Sequence, residues 1–103
     1  MEYKINVSSD AHRDALDISG YIAFDLGNIQ AAGRFLDDVH KAYLNLSNNP
    51  HMYAECNEER LKAKGYRKLA IKRYLIFYRV DESTKTVFIA RVLYGARDYA
   101  NLL

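Results

Sequence analysis

Two apolar runs near the C-terminus constrain this chain more than any other feature. Tyr74 to Val80 is seven residues with only Arg79 charged, and Val87 to Tyr94 is eight with only Arg91 charged. A strand with one wet face alternates apolar and polar residues, so runs this apolar belong at the centre of a sheet. Asp81 to Thr84, polar throughout, supplies the turn between them. A buried strand must still bring its charged side chains to water or to a partner. Arg79 and Arg91 are therefore expected near strand ends or in a groove, which sets cations beside aromatics.

The upstream elements follow from periodicity. Tyr3, Ile5 and Val7 alternate with Lys4 and Asn6 over residues 2–8, the pattern of a half-buried strand. Ser8, Ser9 and Asp10 offer N-cap oxygens, and Ala11, Ala15, Ile18, Ile22 and Leu26 then recur at helical spacing. Gly20 weakens that helix by roughly 1 kcal/mol relative to alanine, and Gly27 suits a left-handed stop. Asn28 can cap a second helix, in which Ile29, Ala32, Leu36, Val39, Tyr43 and Leu46 form a narrow apolar seam. So short a connection forces the two helices into an antiparallel hairpin. Asn48, Asn49 and Pro50 end it. Residues 51–64 read as a loop with one helical turn at 57–62. Tyr66 to Ile71 reads as a strand with Leu69 and Ile71 inward and Tyr66, Lys68 and Lys72 on a basic outer face. The tail from Ala96 to Leu103 reads as a short helix or an extended segment. The order β-α-α-β-β-β predicts an α+β domain: a mainly antiparallel sheet covered on one face by a helical hairpin.

With 103 residues the chain is long enough for one domain, 1–103, around a single core. It has no run approaching the ~20 apolar residues of a membrane span and no apolar leader at its start, so a cytoplasmic protein is expected. Cys56 is the only cysteine, which fits a reducing compartment. The net charge of +2 conceals a split. Residues 1–59 hold four Lys/Arg against ten Asp/Glu, a balance of −6; residues 60–97 hold eleven against two, a balance of +9. A basic face interleaved with Tyr66, Tyr74 and Tyr78 points to a polyanion or an acidic protein segment as partner. A solvated sheet surface beside acidic helices is the plainer alternative.

The chemistry is less explicit. Lys68, Arg79, Arg91 and Arg97 could stabilise phosphodiester charge, and His51, Glu55, Glu58, Glu59, Tyr94 and Tyr99 could move protons, but spacing fixes no mutual geometry. His12, His40 and His51 lack the spacing of a metal site, and neither a cofactor nor a metal is expected. The phosphate-cradling and nucleophile-elbow motifs GxGxxG, GxxxxGK[ST] and GxSxG do not occur.

The string YLIFYRVD, a turn, and VFIARVLYGARDYANLL resemble the C-terminal half of the RelE/ParE superfamily of small toxins from bacterial type II toxin-antitoxin pairs. RVLYGARD with two closing leucines is similar to the ParE branch, whose members commonly carry a histidine where Tyr94 stands. The helical hairpin and the stretch from Pro50 to Ile71 also fit. The resemblance implies a growth-arresting protein of the plasmid-stabilization kind, held harmless by a cognate antitoxin. It leaves two mechanisms open. ParE-like members poison DNA gyrase; RelE-like members cut messenger RNA on the ribosome. RelE-like ribonucleases often have an arginine just after the first tyrosine of the strand that matches YLIFYR, and here that position is Leu75. The gyrase-directed branch is favoured on that ground. On it, Arg91, Tyr94, Arg97 and Tyr99 are expected to form or border the target-binding surface, with a local Arg97–Asp98 ion pair as the structural alternative. On the ribonuclease branch the catalytic set would be Lys68, Arg79, Arg91, Tyr94 and Arg97. A toxin-like domain that has lost its activity and serves only as antitoxin partner or co-repressor is the third reading.

Overall fold

The computed structural model describes residues 2–97 and 99–103. Four strands form one sheet: β1 (Lys4–Val7), β2 (Arg67–Ile71), β3 (Tyr74–Asp81) and β4 (Thr86–Tyr94). Their order is β1-β4-β3-β2, with β1 parallel to β4 and the other pairs antiparallel. The two apolar runs thus occupy the centre, as their composition requires. Among the described residues there are three α-helices: α1 (Ser9–Gly20), α2 (Ile29–Asn48) and the short α3 (Glu59–Ala63).

Each helix starts on a side-chain cap. Ser8 Oγ accepts from Ala11 N–H at 3.0 Å, Asn28 Oδ1 from Ala31 N–H at 2.9 Å, and Glu58 Oε2 from Leu61 N–H at 3.1 Å. The Ser8 hydroxyl also donates to the Ala90 carbonyl at 2.8 Å, which fastens the start of α1 to β4. The first helix does not run unbroken to Leu26. Regular α winding stops at Gly20, the chain continues as a π turn over Tyr21–Asp25, and Gly27 closes it at φ +64. That wider winding turns Phe24 and Leu26 out to solvent while Ile22 stays buried.

The seam of α2 also differs from its sequence reading. Ala32, Phe35, Val39, Ala42 and Leu46 are buried, whereas Ile29 is 75% exposed and Leu36 37%. Phe35 and Leu36 are adjacent apolar residues, and either can continue a helical seam. Packing decides for Phe35, whose ring meets Tyr74 edge-on at 5.1 Å between centroids.

Both faces of the sheet are covered. The hairpin of α1 and α2 packs on one face over Ile76, Tyr78, Val87, Ile89 and Val92. The Tyr78 hydroxyl donates to the Pro50 carbonyl at 2.8 Å, and burial pushes this phenol up to about 12. On the opposite face a smaller core gathers Cys56, Leu61, Tyr66, Phe77 and Leu93 under the C-terminal tail. Tyr66, expected on an open basic surface, is buried there. The tail forms a 3-10 turn over Tyr99–Leu102.

Candidate functional site

The central strands bring Arg79 and Arg91 to the tail-covered face, and Arg91 reaches it through a bulge. Phe77 pairs with Arg91 but Tyr78 pairs with Ile89, so Ala90 is an extra residue on β4. Strict alternation would give Arg91 the same direction as Val87 and Ile89, into the helical core. The bulge reverses it, setting Arg91 beside Phe77 on the other face while Val92 returns to the core. A guanidinium is thereby spared burial among aliphatic side chains.

Arg91 is not free for a ligand. Its Nε and Nη2 reach the two carboxylate oxygens of Asp14 on α1 at 2.7 and 2.9 Å, and the same carboxylate accepts from Val92 N–H at 3.1 Å. The side chains of Arg91 and Asp14 are only 20% and 12% exposed. Hydrogen bonding to Asp14 holds the guanidinium still more firmly protonated than usual. Arg91 Nη1 also donates to the Leu102 carbonyl at 3.4 Å, tying the tail down.

The remaining candidates fall into separate places. Arg79 lies over the Tyr66 ring, 5.4 Å from its centroid, in cation–π contact. It lines a groove of about 320 Å³ that Asn6, Ala90, Arg91, Leu102 and Leu103 also border. Lys68 is half-buried on the same face, opposite Phe77. Tyr99 is half-buried, with its ring tilted over Phe77 at 4.7 Å. Tyr94 faces the other way. It is 46% exposed, meets Tyr74 edge-on at 5.9 Å, and lines a cavity of about 450 Å³ at the tip of the hairpin. Arg97 is exposed in the turn after β4, where its backbone N–H donates to the Tyr94 carbonyl at 3.0 Å. The proposed Arg97–Asp98 ion pair falls on Asp98, outside the described residues.

The expected proton carriers are dispersed. His51 pairs with Glu82, which also accepts from Tyr3 and Lys85, at the end of the sheet far along β3 from Tyr74. Glu58 is the cap of α3, and Glu55 lies 3.8 Å from Arg67. Cys56 is buried, and burial pushes its thiol up, away from nucleophilic use. Sequence reasoning missed Asp14, whose place beside the buried Ala11 and Ala15 was its one visible signal, and it missed the cavity that joins Tyr74 to Tyr94.

Residues 5–99 match the family described as ParE toxin of type II toxin-antitoxin system, parDE. The chain belongs to this family. Solved structures share the fold of this ParE-family chain. The chromosomal ParDE system from P. aeruginosa aligns with a TM-score of 0.71 at 18% identity, covering 90% of this chain and 96% of that one. The toxin-antitoxin complex RelBE2 from Mycobacterium tuberculosis gives 0.65 at 22%, covering 91% and 99%. An arginine double mutant of E. coli toxin RelE in the free state gives 0.68 at 12%, covering 99% and 93%. No curated protein matches the chain in sequence. The protein is thus a type II toxin of the RelE/ParE superfamily, with a ParE-type sequence on an α+β fold common to both branches.

Proposed function

We propose that this ParE-family toxin arrests growth by poisoning DNA gyrase and is held inactive by a cognate antitoxin that wraps it. One observation carries the reading: the tail-covered face is packed with apolar side chains where a ribonuclease needs free cations and a proton carrier. Leu75 and Phe77 of β3 lie there, Tyr99, Leu102 and Leu103 close over them, and Asp14 occupies Arg91. Of the ribonuclease set, Tyr94 stands on the opposite face of the sheet, away from Lys68 and Arg79. A general base must come within hydrogen-bond reach of the proton it takes, and the tyrosine of that set is on the wrong side of the sheet to serve Lys68 or Arg79.

Exposed Tyr94 and Arg97 are the residues we assign to target contact, with Arg91 and Tyr99 holding the tail that carries Arg97. Antitoxin binding is supported by the neighbours solved as toxin-antitoxin complexes, and by a basic, aromatic-rich surface that an ordering acidic segment can cover. The test runs purified gyrase supercoiling and messenger cleavage on programmed ribosomes in parallel. Accumulated gyrase-DNA breaks with intact messenger are expected. Codon-phased messenger cuts with unimpaired supercoiling would reverse the assignment.

A further inference from the structure

The hairpin tip carries apolar surface that nothing in the fold covers. Phe24 is 81% exposed, and Tyr21, Leu26 and Ile29 around it are at least half exposed. The π turn accounts for this, because Ile22 in the same segment is buried while Phe24 projects away from the sheet. Beside this knob lies the cavity of about 450 Å³, lined by aromatic and apolar side chains, Tyr21, Leu26, Tyr74 and Tyr94 among them, together with Arg73 and Asp17. Exposed apolar groups gathered at one place mark a contact surface.

A knob and a hole side by side on one surface meet the requirement of a two-fold contact, in which each copy must offer both halves of the fit. We propose that the chain pairs with a second copy of itself through this surface, each Phe24 entering the tyrosine-lined cavity of the other. Edge-to-face contact with the Tyr74 and Tyr94 rings suits a phenyl group. Charge fits the same arrangement. Asp25 follows the knob, and the hole is lined by both Arg73 and Asp17, so the pairing takes the orientation that sets one copy's Asp25 against the other's Arg73 and away from Asp17, twice per dimer. Among the described residues neither Asp25 nor Arg73 forms an ion pair within the chain. The exchanged patch is small, so the dimer dissociates in roughly the micromolar range. Because Tyr94 lines the cavity, the dimer covers it, and self-association and any target contact through Tyr94 exclude each other. The pairing itself does not depend on which target the toxin has.

Sedimentation equilibrium of the purified full-length chain, loaded from roughly micromolar to millimolar concentration, tests this. A concentration-dependent dimer is expected. Phe24→Ser should weaken it at least tenfold with a nearly unchanged melting temperature, since that ring, 81% exposed, has little intramolecular packing to lose. Asp25→Arg and Arg73→Asp should each weaken it through paired like charges, and an equimolar mixture of the two should regain a heterodimer. A chain monomeric at every concentration, a dimer indifferent to Phe24→Ser, or a mixture that recovers nothing would each overturn the proposal.

Discussion

Arg91 on β4 and Asp14 on α1, 77 positions apart, meet in a two-pronged ion pair at 2.7 and 2.9 Å. β1 is four residues long and leaves β4 unpaired beyond Ile89 on that side. The start of α1 takes its place: Ser8 bonds the Ala90 carbonyl and Asp14 bonds the Val92 N–H. Asp14 thus finishes the sheet edge, neutralises the bulged arginine and, through Arg91, reaches the tail at Leu102. Removing one partner of a pair this enclosed leaves the other uncompensated, so Asp14→Ala should lower stability by about 2–4 kcal/mol. Pairing Asp14→Ala with Arg91→Met should recover part of that loss. Urea denaturation of both single variants and the double variant measures the coupling, and strict additivity would show that the contact contributes nothing.

Glu82 gives the fold a predictable acid response. Hydrogen bonds from Lys85, then His51, then Tyr3 hold its carboxyl down from 4.5 to about 2. A group with a lowered folded-state value stabilises the fold above its unfolded value and loses that contribution as pH falls through the folded one. The contribution should therefore be complete above about pH 4.5 and fade toward pH 2. Asp81, lowered by Ser83 and Thr84, acts in the same direction, so the difference between wild type and Glu82→Gln isolates the residue. Melting temperatures across this range should fall more steeply in the wild type. Parallel curves would mean that the exposed cluster is screened out.

The elements were legible because composition and period agree along most of the chain. Tyr74–Asp81 and Thr86–Tyr94 are strands, as their apolar runs demand, and Asn28 caps α2 as read. What escaped depends on tertiary contacts. No rule of spacing places an extra residue at Ala90, although the cost of pointing Arg91 inward hinted at a break in alternation. Phe35 and Leu36 could not be ranked without Tyr74 to pack against. The side on which Tyr94 emerges follows from the bulge, so the scatter of the candidate site over two faces was hidden with it. Asp14 acquires its role only when α1 docks at the edge of β4.

Gly95 is held against the β2–β3 turn. Its N–H donates to the Arg73 carbonyl at 2.8 Å, and a Cβ at this position would sit 3.2 Å from that same oxygen and 3.6 Å from the Leu75 side chain. The oxygen cannot retreat without giving up the hydrogen bond. Gly95→Ala should therefore destabilise the chain by roughly 1–2 kcal/mol, visible as a lower urea midpoint at unchanged slope. A neutral or stabilising outcome would show that the turn yields freely.

Arg97 separates function from fold. Its side chain is exposed and, among the described residues, makes no ion pair, while its place in the turn is fixed by a backbone bond to Tyr94. Truncating such a residue should change stability by no more than about 0.5 kcal/mol. If Arg97 contacts the target, Arg97→Ala should restore growth to a susceptible bacterium that expresses the chain without antitoxin, and should abolish gyrase-DNA breaks in vitro. Arg97→Lys keeps the charge but loses the planar fork, so it should rescue only part of the toxicity if the contact is bidentate. Full poisoning by Arg97→Ala, at wild-type melting temperature, would remove this residue from the mechanism and leave exposed Tyr94 at the end of β4 to be tested alone.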